Sequence, residues 1–250
     1  MSQLYHSIVY NNKDVRDICH YPKHKHLPFS NSLSKVAASF ELLHFDIWGP
    51  ISISCIHGHK YFLTIFDDHR RFLWIILLKT KDKVSTRVKN FIAMIKNQFN
   101  TTPKFVRTDN VPEFLLYDFY SSHDIVHQKS SVETCQQNGR VERKRQHILN
   151  VGKALLFQSK LPPSFWSYVI LHVVFFINRV STPILNHKSC YHLLFHQAPY
   201  INLFKVFGCM CYASTLYSHR SKLQPRAKES LFLGYKSGNK GNHLFDLNSR

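Results

Sequence analysis

Two hundred and fifty residues, 44% hydrophobic and 14% aromatic with only 19% charged, can bury a core and are too apolar for a disordered tail. The best apolar run, 168–177 with His172 inside it, falls short of the ~18 residues that cross a bilayer, so a membrane protein is excluded along with collagen and coiled coil. Thirty-three Lys and Arg against 15 Asp and Glu leave a net charge of +18, a field that favours a polyanion partner.

Residues 1–38 are polar and unperiodic, broken by Pro22 and Pro28. They hold no signal-peptide apolar core, which predicts an intracellular, reducing setting with the six cysteines as thiols. Cys19-His20 with His24 and His26 completes no tetrahedral ligand set, so no zinc is expected. The runs 42–48 (LLHFDIW), 60–67 (KYFLTIFD) and 72–78 (FLWIILL) read as three strands of an antiparallel meander. From Asp82 to Phe99 the spacing of Val84, Val88, Phe91, Ile92, Ile95 and Phe99 predicts a helix with Asp82 as its cap. A short strand at 104–108 runs into Asp109, followed by a short helix at 113–121 and a brief strand at 125–127.

Asn138-Gly139 opens a long helix reaching Gln158, and Pro162-Pro163-Ser164 opens another that runs through Ile177. From Phe204 onward three strand-like runs, 206–214, 229–237 and 242–248, form a small all-β module whose alternation is still running at Arg250. Cys209 and Cys211 share one strand face and read as core. The element order is that of a mixed α/β domain followed by a β module.

In such an order the informative acids are those at strand ends and helix starts. Asp46 lies inside an apolar strand between Phe45 and Ile47, a costly position for an unpaired carboxylate. Asp109 follows the fourth strand and Glu142 sits in the first turn of the long helix. Each has an ordinary reading, a turn for Asp109 and the helix dipole for Glu142; Asp67-Asp68 reads as a turn start. Together, Asp46, Asp109 and Glu142 make an oxygen-rich site for Mg2+ or Mn2+. Two such ions would activate an attacking oxygen and steady the leaving one at a phosphodiester. Arg143, Lys144, Arg145 and Lys153 follow on the same helix, and no Asp or Glu occurs between Arg143 and Lys228. A one-sign stretch of this kind suits a phosphate backbone.

The motifs HFDIWGP at 44–50, KYFLTIFDD at 60–68, FVRTDN at 105–110, QQNGRVERK at 136–144, LPPSFW at 161–166, VFGCMCYA at 206–213 and FLGYKSGNKG at 232–241 together resemble the integrase of Ty1/copia-type retrotransposons. The resemblance implies a ribonuclease-H-like integrase catalytic core over 38–200 and an incomplete SH3-like barrel over 204–250. Residues 1–29 resemble the remnant of a zinc-binding segment, in which Cys19 matches one cysteine of a pair and Arg16 stands at the other. It also implies an Asp, Asp, Glu triad at Asp46, Asp109 and Glu142, divalent metal, and attack of a DNA 3′ hydroxyl on target DNA, which joins element ends to a chromosome. The partners so implied are DNA and further copies of the chain, in the nucleus or otherwise the cytoplasm.

Two departures bear on that function. Val111-Pro112 stands where the family has glycine, removing a residue suited to positive φ beside Asp109, and Cys135 replaces a proline. The alternative is therefore a catalytically inactive DNA-binding remnant. A ribonuclease acting on RNA–DNA hybrids is a third reading, which the QQNG motif and the β module disfavour.

Overall fold

The computed structural model describes residues 36–130, 138–215, 221, 223–236, 238 and 241–248. The expectations for residues 1–29, for Cys19 and for Cys135 lie outside them. Residues 36–250 form one compact unit.

The three apolar runs become β1 (Leu42–Trp48), β2 (Tyr61–Asp67) and β3 (Leu73–Leu78), paired antiparallel as a meander. Two short strands, β4 (Phe105–Thr108) and β5 (Val126–Lys129), extend the sheet in parallel from β1. The order is therefore β3-β2-β1-β4-β5, with β1 in the centre.

The two faces of the sheet follow from strand period. Leu43 and Phe45 of β1 with Leu63 and Ile65 of β2 face one way, and helix α1 (Val84–Phe99) covers them with Val84, Val88, Phe91, Ile92 and Ile95. Each buried aliphatic or aromatic side chain there stabilises by roughly 1.5–3 kcal/mol. Asp82 is not the cap of α1. It lies in a tight 3-10 turn over Lys81–Lys83 and pairs with Lys83 at 3.2 Å, while Lys83 itself occupies the cap position with no side-chain bond. The helix draws its stability from its buried stripe instead.

Phe62 and Phe66 point to the opposite face. They meet α3 (Gly139–Ser159) and α4 (Trp166–Arg179) through Val141, Ile148, Trp166, Val169, Ile170 and Val173. A five-residue helix α2 (Tyr117–Ser121) joins β4 to β5, and α5 (Cys190–Phe195) follows the small hairpin of β6 (Ser181–Thr182) and β7 (Lys188–Ser189). Gly49 ends β1 at φ 135°, where a Cβ would come within 2.6 Å of the Lys60 carbonyl oxygen. The glycine of the HFDIWGP motif is thus required by close backbone approach.

The tail forms an antiparallel sheet of β8 (Met210–Ser214), β9 (Ala227–Tyr235) and β10 (Asn242–Asp246), with β9 in the middle. It packs on α4 through aromatic rings: Tyr235 stacks on Phe175 with centroids 3.8 Å apart and lies parallel to His172. The four cysteines among the described residues, Cys55, Cys190, Cys209 and Cys211, are free thiols. Among the described helices none is long and apolar enough to cross a membrane.

His172 is buried in this packing, and its Nδ1 has no hydrogen-bond partner. Burial pushes its pKa down to about 4. A histidine depressed in the folded state contributes stability above its ordinary value of 6.5, and that stability is lost as pH falls toward 4. Lowering the pH from 7 to 5 should cost about 2 kcal/mol through this residue. Urea denaturation of wild type and His172→Phe at the two pH values should show a smaller pH dependence in the variant; equal dependence would remove His172 as the cause.

Candidate functional site

β1 alternates, so His44 and Asp46 point to the face covered by α3 while Phe45 points away from it. Both His44 and Asp46 are fully buried. A carboxylate in that setting must be paired, and its partner comes from α3: Arg145 Nη1 donates to both Asp46 oxygens, at 2.6 and 2.7 Å. Burial raises the Asp46 pKa to about 7; the Arg145 charge opposes that rise, and the charges of Asp109 and Glu142 add to it. The three acids selected from the sequence are therefore close enough for Asp46 to feel both others.

Asp109 follows β4, the parallel neighbour of β1, which brings it alongside Asp46. Its Oδ1 accepts from Asn138 Nδ2 at 2.9 Å. Glu142 lies one turn into α3 and is half-buried. Val111 has φ −96° and ψ 144°, ordinary extended backbone, so no positive-φ residue is needed there. The substitution of valine for glycine beside Asp109 carries no backbone strain.

Four residues that the sequence reading did not single out as site residues hold this arrangement in place. Asn138, 1% exposed, donates through Nδ2 to the Phe45 carbonyl at 3.3 Å as well as to Asp109. Its Oδ1 lies 3.1 Å from His44 Nδ1. His44 Nε2 lies 3.2 Å from Asp68 Oδ1, so both ring nitrogens face oxygens. Arg140 Nη1 closes the chain by donating to both Asp68 oxygens. Burial works to raise the Asp68 pKa, but hydrogen bonds and charge from His44 and Arg140 outweigh it and hold the group at about 2. The available signal was His44 two residues before Asp46, a polar pair repeating at strand period in an apolar run. The adjacent acids separate in role: Asp67 accepts from the backbone N–H groups of Phe40 and Arg70 and shapes the turn, whereas Asp68 joins the network.

The four basic residues of α3 also separate. Arg143 and Lys153 are exposed. Lys144 is half-buried, its pKa lowered by desolvation. It lines a cavity of about 210 Å³ with Arg71, Arg140, Arg143 and His147. Arg145 turns inward to Asp46. A cavity of about 610 Å³, lined by Val151, Leu155, Val173, Phe176 and Phe207 among others, contains none of the three acids, so cavity size does not mark this site.

Three carboxylates supply the hard oxygen donors that Mg2+ and Mn2+ take. The donor types fit such an ion, but the arrangement with Arg145 on Asp46 does not present them together. Among the described residues no group of three His, Cys, Asp or Glu is placed to hold a metal.

Residues 209–250 match the model of the retroviral polymerase SH3-like domain. The chain is 34% identical over 218 residues to a retrovirus-related Pol polyprotein from transposon RE2 of Arabidopsis thaliana, covering 87% of this chain and 15% of that protein. It is 31% identical over 233 residues to the Pol polyprotein from transposon TNT 1-94 of Nicotiana tabacum, covering 92% of this chain and 18% of that protein. The chain thus spans under a fifth of the length of these relatives. Among solved structures it is similar to the HTLV-2 integrase catalytic core domain in complex with magnesium, at 18% identity and a TM-score of 0.45 over 61% of this chain and 95% of that one. It is also similar to a chain of the simian T-cell lymphotropic virus intasome in complex with PP2A regulatory subunit B56 gamma, at 14% identity and 0.48 over 84% and 77%. At 31–34% identity over about nine-tenths of its length, the chain belongs to the retrovirus-related Pol polyproteins of copia-type transposons.

Proposed function

We propose that this segment binds DNA and carries the strand-transfer centre of a retrotransposon integrase, with Asp46, Asp109 and Glu142 as its carboxylates. The observation that carries the reading is placement: Asp109 directly follows the strand paired in parallel with the one holding Asp46, and Glu142 lies in the first turn of the helix whose Arg145 reaches Asp46. A divalent ion bound by them would activate the attacking 3′ hydroxyl and stabilise the leaving oxygen. The network of His44, Asn138 and Asp68 holds Asp109 in position against β1. Arg143 and Lys153, exposed on the helix that carries Glu142, supply charge for the phosphate backbone. In this reading residues 38–200 are the core, 204–250 the SH3-like module, the substrates are element ends and chromosomal DNA, the working form is a multimer, and the site of action is the nucleus.

The seat of Arg145 on Asp46 favours a second reading, a DNA-binding remnant without chemistry. Purified chain incubated with a short duplex and Mn2+ distinguishes the two. Strand transfer predicts nicking or joining that is lost in both Asp109→Asn and Glu142→Gln. A remnant predicts binding whose log K falls by about 0.9 per phosphate contacted for each unit of log salt, with no cleavage in any variant. Failure to bind DNA at low salt would reject both.

A further inference from the structure

We propose that Arg145 is an internal lock on the carboxylate centre: its guanidinium occupies the place at Asp46 that a divalent cation would need. The inference rests on the reading of Asp46, Asp109 and Glu142 as metal ligands. One nitrogen, Nη1, straddles both Asp46 oxygens at 2.6 and 2.7 Å. Asp46 is 0% exposed, so its lone pairs have no second approach from solvent. A magnesium ion at ~2.0–2.1 Å from the same oxygens would compete for those lone pairs and meet a like charge at contact distance. Arginine and metal therefore exclude each other at Asp46.

The lock is built into the helix that brings Glu142. Residues three apart share a helix face, and Glu142 and Arg145 are both half-buried, so the face that carries Glu142 carries Arg145 too. The same helix repeats the device at Asp68, where Arg140 bridges both oxygens. The Arg145 side chain is 23% exposed, which places it at the mouth of the site with a route outward. A guanidinium is weakly hydrated and suited to two-oxygen contacts; an ammonium at the same position is strongly hydrated and releases more readily.

Manganese binding tests this without reference to activity. The full chain is titrated with Mn2+ at neutral pH, followed by calorimetry and by loss of the free-ion electron paramagnetic resonance signal. Arg145→Gln should bind Mn2+ at least tenfold more tightly than wild type, with Arg145→Lys between them and Arg145→Gln/Asp46→Asn losing the gain. Mn2+ should also raise the melting temperature of Arg145→Gln and leave that of wild type unchanged. If wild type and Arg145→Gln bind equally and Asp46→Asn abolishes binding, the lock is overturned and the metal-ligand reading stands. If all chains are folded by circular dichroism and none binds Mn2+, the metal-ligand reading falls with it. Should Arg145→Gln fail to fold, Arg145→Lys decides: affinity equal to wild type overturns the lock.

Discussion

Replacing Asn138 with alanine is expected to lower the unfolding free energy by about 3 kcal/mol, because one truncation takes this partner from two buried groups, the Phe45 carbonyl and His44 Nδ1, at ~1–3 kcal/mol each, and from the half-buried Asp109. The amide is 1% exposed and holds the Phe45 carbonyl, Asp109 Oδ1 and His44 Nδ1 at once. Water can reach Asp109 from the mouth of the site, which keeps the loss below the sum of the separate penalties. Urea denaturation of wild type and Asn138→Ala at fixed pH measures the difference. A loss below about 1 kcal/mol would mean that these bonds are exchanged for water at little cost and that Asn138 does not hold the site together.

Phe45→Ala is expected to cost about 3–5 kcal/mol, the range for deleting a buried phenyl ring and leaving a cavity. Phe45 is 0% exposed at the centre of the sheet, between the rings of Phe91 on α1 and Phe114 beyond β4, whose centroids lie 6.3 and 6.1 Å away. Both neighbours are held by other core contacts, so neither can close the gap fully. The comparison is Val126→Ala on the edge strand β5, where the side chain is 54% exposed and the cost should stay within about 0.5 kcal/mol. Chemical denaturation of the pair decides. Similar losses in both would contradict the assignment of the core to the face of β1 that α1 covers.

The elements were largely legible because their signals are local. Three aromatic and β-branched runs separated by turn residues specify a meander, and the helical spacing of Val84, Val88, Ile92 and Ile95 specifies α1. The placement of β4 and β5 was not legible in the same way. Each has only four residues, and nothing local in FVRT or VHQK tells that they run parallel to β1 on its free side. At the site, Asp46 was conspicuous because apolar surroundings make a lone carboxylate costly. Arg145 was not. Within RKR it has the same local signature as the exposed Arg143, and only the depth of Asp46 beneath α3 separates an inward cation from a solvated one. Asn138 and Asp68 were hidden by ordinary roles at a helix start and a turn, since a side chain's long-range partner leaves no mark on its neighbours in sequence.

Gly208, at φ 74°, lies so close to the last turn of α3 that a Cβ on it would fall 2.5 Å from Ser159 Cβ. Its N–H donates to the Phe232 carbonyl on β9, so the point of contact is tied directly to the tail sheet. A side chain at position 208 would have to push the β module and the end of that helix apart, so the spacing between the tail sheet and the helix that carries Glu142 is set by direct backbone contact.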